Sequence, residues 1–170
     1  MWAGGCKRMD KKTKKHLSYA NGYRQLGMFE DAFAELDKIV GEFQESKPIK
    51  VTRLAVHTDA LDWDQVAGVS QDLAVEYPED VEWRIQWAYA LRRAESIVAA
   101  RAILAKALEQ FPKEACLHYN LGCYACLDGD HDRAKVWVQQ ALDLDQEGKF
   151  HKLALEDEDL EGIRGWIETL

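Results

Sequence analysis

The sequence predicts an all-α fold of stacked helical hairpins, and three observations predict it. Pro78 and Pro112 stand 34 residues apart, and extending that phase divides the chain into windows starting at Thr13, Lys47, Val81 and Ala115. Within those windows the same columns recur: the twentieth position reads Ala32, Val66, Ala100 and Ala134, and the twenty-eighth reads Val40, Ala74, Leu108 and Leu142. The three prolines, at 48, 78 and 112, fall near window joints and leave long stretches in which helices can run. A helix-turn-helix period of this length belongs to units that cannot bury their apolar faces alone and must stack.

Each window divides into a helix A over roughly its first 14 positions and a helix B over roughly positions 17 to 31. Gly27 and Gly129 fall between the two helices, where a left-handed residue ends the first, and bulky residues follow two places later at Phe29, Trp63 and His131. In the first window helix B carries the stripe Ala32, Leu36, Ile39, Val40; in the fourth it carries Ala134, Val138, Ala141, Leu142. The second window departs, because Lys50, Arg53 and His57 take helix A positions that should be apolar. Sliding that helix by one residue presents Val51, Leu54 and Ala55 instead, which predicts a slipped helix or a shortened turn between Pro48 and Trp63. The third window has Glu95 in place of the turn glycine. Past Gly148 the phase is lost, and Leu160, Ile163, Trp166 and Ile167 form an amphipathic set suited to covering the last repeat, with Trp166 expected against Val138 and Leu142.

These residues resemble the tetratricopeptide repeat (TPR) family. The fourth window carries the resemblance through Leu121, Gly122, Gly129, Ala134 and Ala141. The first carries it through Ala20, Tyr23, Gly27, Phe29 and Ala32, and the third through Ala88, Ala100, Ala107 and Pro112. The resemblance implies a right-handed α-solenoid of four TPR-like helical hairpins plus a C-terminal capping helix. Its parts are a basic arm over 1–12, repeats over 13–46, 47–80, 81–114 and 115–148, and a cap over 149–170, as in bacterial repeat proteins that close with an acidic turn and a short helix.

Charge and cysteines narrow the function classes. A net charge of −8 disfavours nucleic acid as partner, and the basic start, Lys7, Arg8, Lys11, Lys12, Lys14 and Lys15, reads as a solvated tail. Acid collects instead at Glu156, Asp157, Glu158, Asp159 and Glu161. No stretch is long and apolar enough to cross a membrane, and the start has no secretory pattern. Cys6, Cys116, Cys123 and Cys126 are no disulfide framework, so the expectation is a cytoplasmic bacterial protein with free thiols.

Helical geometry separates two faces of helix A. Positions 4, 7, 8 and 11 pack in the family, whereas 2, 5, 9, 12 and 13 line its concave groove. Here the groove set includes Leu17, Asn21, Arg24, Glu82, Ile85, Tyr89, Arg92, Arg93, Cys116, Tyr119, Cys123, Cys126 and Leu127. Arginine and tyrosine anchor interfaces more than other residues. The expected partner-binding residues are therefore Arg24, Tyr89, Arg92, Arg93, Tyr119 and Cys123, taking a protein or peptide segment that is acidic and apolar. Reversing both arginines should then spare the fold. A clamp for acidic chaperone tails is set aside, since of Leu17, Asn21, Thr52, Glu82 and Gln86 only Asn21 matches its pattern.

Cys116, His118, Cys123, Cys126 and His131 look superficially like a metal cluster. Two helical turns, about 10 Å of rise, separate Cys116 from Cys123, too far for one zinc. The sequence also lacks a phosphate loop, a nucleophile elbow and a zinc-protease motif. The reading is thus an interaction scaffold with no cofactor, no metal and no catalysis. A small acidic secretion-type chaperone is the alternative, and a thiol-dependent enzyme resting on the three clustered cysteines is third.

Overall fold

The structure is a computed structural model that describes residues 8–94 and 96–170. Cys6, the front of the basic arm and the turn position Glu95 lie outside the described residues. The helices are α1 (Lys11–Gln25), α2 (Phe29–Asp37), α3 (Lys47–Asp59), α4 (Trp63–Glu76), α5 (Glu82–Ala94), α6 (Ile97–Gln110), α7 (Ala115–Leu127), α8 (His131–Leu144), α9 (Lys149–Glu156) and α10 (Arg164–Ile167). Two 3-10 turns, Gly41–Phe43 and Glu158–Ile163, complete the order. Odd helices up to α7 are the A helices and even ones up to α8 the B helices of the four windows. Asp10 caps α1 by accepting from the Thr13 amide at 2.8 Å, which draws Lys11 and Lys12 out of the expected arm and into the helix. Ser96 and Asp130 cap α6 and α8 in the same way.

The joints of the first, second and fourth windows share one backbone conformation. Gly27 and Gly129 have φ of 73° and 80°, and the amides of Met28 and Asp130 donate back to Tyr23 and Ala125 carbonyls. That is the left-handed helix stop the glycines predict. Leu61 occupies the same place in the second window with φ 58°, and the Asp62 amide donates to His57 in the same manner. A left-handed leucine costs about 1–2 kcal/mol, partly offset by the greater freedom glycine would have in the unfolded chain. Leu61 is 66% exposed and contributes little packing. Leu61→Gly is therefore expected to stabilise the protein by about 0.5–1 kcal/mol; a lower urea midpoint for the variant would contradict this.

In the second window the turn keeps its place at Leu61, but the packing face of the helix is displaced by one residue, in the opposite sense to the slide that would bury Val51 and Ala55. α3 starts at Lys47 and runs 13 residues, as long as α5 and α7. It buries Ile49, Thr52, Leu54 and Val56. Lys50, Arg53 and His57 sit half-buried at the rim, where the Lys50 and Arg53 stems lie along apolar surface with their charged ends on Glu45 and Asp37, and the His57 ring nitrogen meets Asp62 at 3.1 Å. Ile49, Thr52 and Val56 each precede Lys50, Arg53 and His57 by one position, and burying them turns the polar residues out to the rim.

The chain divides into two compact units, one up to Leu73 and one from Ala74, with the boundary inside α4. The apolar residues form a separate core in each. The first gathers Ala20, Ala32, Leu36, Ile39, Ile49 and Val56, with Phe29, Phe33 and Phe43 against them. Buried Glu35 there takes His16 at 2.7 Å and Lys38 at 2.6 Å, and these two partners hold its carboxyl below the usual range. Val40 is not part of the stripe. α2 stops at Asp37, Val40 is extended and 70% exposed, and Gly41 follows at φ 76°.

In the second unit α7 is buried nearly all round, from Leu117 to Cys126 apart from Asn120. α6 lies along it, α8 pairs with it, and the turn Glu158–Ile163 covers it. A Cβ on Gly122 would stand 2.7 Å from Val138 Cγ2, so the family-like glycine permits the α7–α8 approach. The C-terminal residues cap this unit through the amphipathic set the sequence predicts, with Trp166 packed against the same core. Leu160, Ile163 and Ile167 are fully buried, whereas Trp166 is only partly so. The cap also begins with α9, a helix not read from the sequence, whose first amides find Asp145: the Phe150 N–H donates to its carboxylate at 2.6 Å. Gly162 is pressed so close that a Cβ would lie 2.5 Å from His131 Nε2.

Candidate functional site

α5 and α7 present their groove faces to one cleft of about 580 Å³ in the second unit. Tyr89, Arg92 and Arg93 come from α5, and Tyr119, Asn120, Cys123 and Tyr124 from α7. The opposite wall is Leu153 with Glu156, Asp157, Glu158 and Asp159. Five of the six expected partner-binding residues therefore lie round one opening. The sixth, Arg24, belongs to the first unit and donates to Asp59 at 2.6 Å.

The acidic segment is tied to the arginine face. Arg92 donates to Asp159 at 2.7 Å, and its guanidinium lies 5.8 Å from the centre of the Tyr124 ring. The Tyr119 hydroxyl donates to Asp157 at 2.8 Å, its ring stacks on Phe150 with centres 4.8 Å apart, and Cys123 Sγ is 3.7 Å from the same carboxylate. Asp157 also caps its own turn through the Asp159 amide. Arg93 lies over the Tyr89 ring at 4.9 Å. Tyr119 and Cys123 thus form a buried floor, and Tyr89 and Arg93 the accessible rim.

Burial decides the protonation of the floor. It pushes the Tyr119 and Cys123 pKa values up, and the nearby Asp157 and Asp159 charges add to the effect. Burial likewise raises Tyr124, whose hydroxyl has no hydrogen-bond partner among the described residues, and Cys126. Cys116 is pushed up to about 11, by burial first and by Glu82 and Glu114 second. All three are free thiols. At neutral pH they hold their protons, which is the opposite of what a nucleophilic cysteine needs.

Among the described residues one set of metal-ligating atoms lies close together, Cys123 with Asp157 and Asp159, within 4.8 Å of one another. The Arg92 guanidinium and the Tyr119 hydroxyl already engage those carboxylates, so the positive charge there is the protein's own. His118 points elsewhere, to Gln140 at 3.1 Å and the Pro112 carbonyl at 2.9 Å. Sequence reasoning placed the α5 and α7 residues but missed the second wall. Its signal was an acidic run in a chain whose predicted groove holds arginines.

No protein-family profile matches the sequence, and no curated protein does. Solved structures do resemble it. MamA from Desulfovibrio magneticus RS-1, residues 41 to the end, aligns with a TM-score of 0.66 and 19% identity over 95% of this chain and 94% of that one. YrrB, described as a TPR protein with an unusual peptide-binding site, gives 0.66 and 18% over 87% and 77%. TTC0263 of Thermus thermophilus, a thermophilic TPR protein, gives 0.60 and 18% over 93% and 100%. The fold is that of tetratricopeptide-repeat solenoids. Among the described residues no helix is long and apolar enough to cross a membrane.

Proposed function

We propose that the chain is a protein-interaction scaffold that takes a short peptide segment in the cleft of its second unit. The observation that carries this reading is the convergence of Tyr89, Arg93, Tyr119 and Cys123 on one opening beside the exposed apolar Leu153. Aromatic and arginine side chains round a concavity are what interface anchors are made of. YrrB supports the class, since its description names a peptide-binding site on the same fold.

The charge of the cleft argues against the acidic ligand expected from the arginines. Arg92 is already neutralised by Asp159, and four carboxylates face two guanidinium groups. Glu156 and Glu158 stand exposed at the lip, with no ion pair among the described residues. The segment that fits brings a lysine or arginine to these glutamates and an apolar or aromatic residue to Tyr89 and Leu153. Selection from a random decapeptide library should therefore yield basic-aromatic sequences. Tyr89→Ala should weaken them by about thirtyfold, the equivalent of roughly 2 kcal/mol for a lost anchor. Glu156→Gln with Glu158→Gln should weaken them too and flatten their salt dependence. Selected peptides that bind both variants like the native protein would place the site elsewhere.

A further inference from the structure

α1 carries a second surface, independent of the cleft. Ser18, Tyr19, Gly22, Tyr23 and Leu26 line a shallow groove of about 260 Å³. Tyr19 is 48% exposed and Leu26 73%. Gly22 makes a notch in it: a Cβ at that position would meet nothing within 4 Å. Such residues at spacings of three and four form one helical ridge and groove, the shape that receives another helix.

The chain itself shows what this face takes. By the 34-residue period Tyr19 and Tyr23 correspond to Leu121 and Ala125 of α7. Those two are buried, and Leu121 borders a groove that it shares with Val98, Ala102 and Ala105 of α6. A face of this kind is thus filled by a helix bearing a narrow apolar stripe. Charge then specifies the occupant further. Lys11, Lys12 and Lys15 precede Tyr19 on the same side of the helix, at spacings of eight, seven and four. All three are exposed and none forms an ion pair among the described residues; the nearby Asp10 carboxylate, which feels the Lys12 charge, is taken up by the Thr13 amide and hydroxyl. Lys15 Nζ lies 5.4 Å from the centre of the Tyr19 ring, which joins the basic and apolar parts into one patch. In a chain of net charge −8, this is a local reversal of sign.

We propose that this face of α1 docks an amphipathic helix of a partner protein, with acidic residues flanking its apolar stripe. The stripe seats between Tyr19 and Leu26 with one side chain in the Gly22 notch, and its acids meet Lys11, Lys12 and Lys15. The probes are two stapled, fluorescent 14-residue helices with the apolar stripe of α6, one flanked by glutamates and one by lysines. Fluorescence anisotropy with the full chain should show the acidic helix binding at least tenfold more tightly. Tyr19→Glu should abolish that binding without lowering the thermal midpoint, and Lys12→Glu with Lys15→Glu should reverse the preference to the basic helix. Arg93→Glu in the cleft should leave it unchanged, so failure here is separable from failure of the cleft reading. Equal affinity for both helices, or no binding by either, overturns the proposal. So does binding only to phosphatidylserine vesicles, which would make the patch a lipid surface.

Discussion

Removing residues 157–170 is expected to unfold the second unit. Leu160, Ile163 and Ile167 are between 0 and 2% exposed, and fully burying such side chains contributes about 1.5–3 kcal/mol each. Their joint loss, on the order of 5–9 kcal/mol before discounting for a compact unfolded chain, is comparable to the whole stability of a domain. The deletion also strips the cover from the α7 residues Tyr119, Cys123 and Cys126, which are buried at present. Circular dichroism on heating should show the cooperative transition of this unit gone and the protein prone to aggregation. A soluble truncated chain with an unchanged midpoint would mean that the cap is dispensable.

Arg92→Glu is expected to destabilise the protein by on the order of 2 kcal/mol, whereas Arg93→Glu should cost less than about 0.5 kcal/mol. The sequence alone treats the two arginines as equivalent exposed anchors. In the structure the Arg92 side chain is 15% exposed and its Asp159 partner 28%, so screening by water is limited. Removing one member of a fully buried pair costs about 3–5 kcal/mol, and partial exposure reduces that figure. A third carboxylate would also be brought against Asp157 and Asp159. Pairing Arg92→Asp with Asp159→Arg should restore more than half of the loss in a urea titration. If the single reversal matches Arg93→Glu, the contact between arginine and aspartate does not hold the acidic turn in place.

These contrasts show where the sequence stops being legible. The hairpin stops were readable because they are local: Gly27 and Gly129 act through hydrogen bonds within a few positions. The equally local caps at Asp10 and Asp130 were not read, which is why the basic arm was carried past the true start of α1. Leu61 was not readable, since nothing in its side chain announces a left-handed backbone; the hairpin imposes it. The end of α2 was misjudged for a related reason. Val40 fits the apolar spacing, yet Gly41 next to it takes the conformation that breaks the helix. For the cleft, the period sufficed to place Tyr89, Arg92, Tyr119 and Cys123 on one face. The wall opposite them lies beyond the last repeat, outside any periodic pattern. Its attachment depends on contacts spanning 67 residues between Arg92 and Asp159 and 38 between Tyr119 and Asp157.

The wrapping of α7 also sets an order in time. The first unit's core needs nothing beyond Val56, so its apolar residues can find one another early in synthesis. α7 is different: its covering residues, Leu160 to Ile167, are made about forty positions after the helix itself ends at Leu127. At 5–20 residues per second the ribosome needs roughly 2 to 8 s to supply them. Until the C-terminal turn follows it out, α7 has only α6 and α8 against it, and the face that carries Tyr119, Cys123 and Cys126 lacks its last covering layer. The nascent chain is therefore most vulnerable to aggregation and thiol oxidation at one defined stage, after Leu127 and before Ile167.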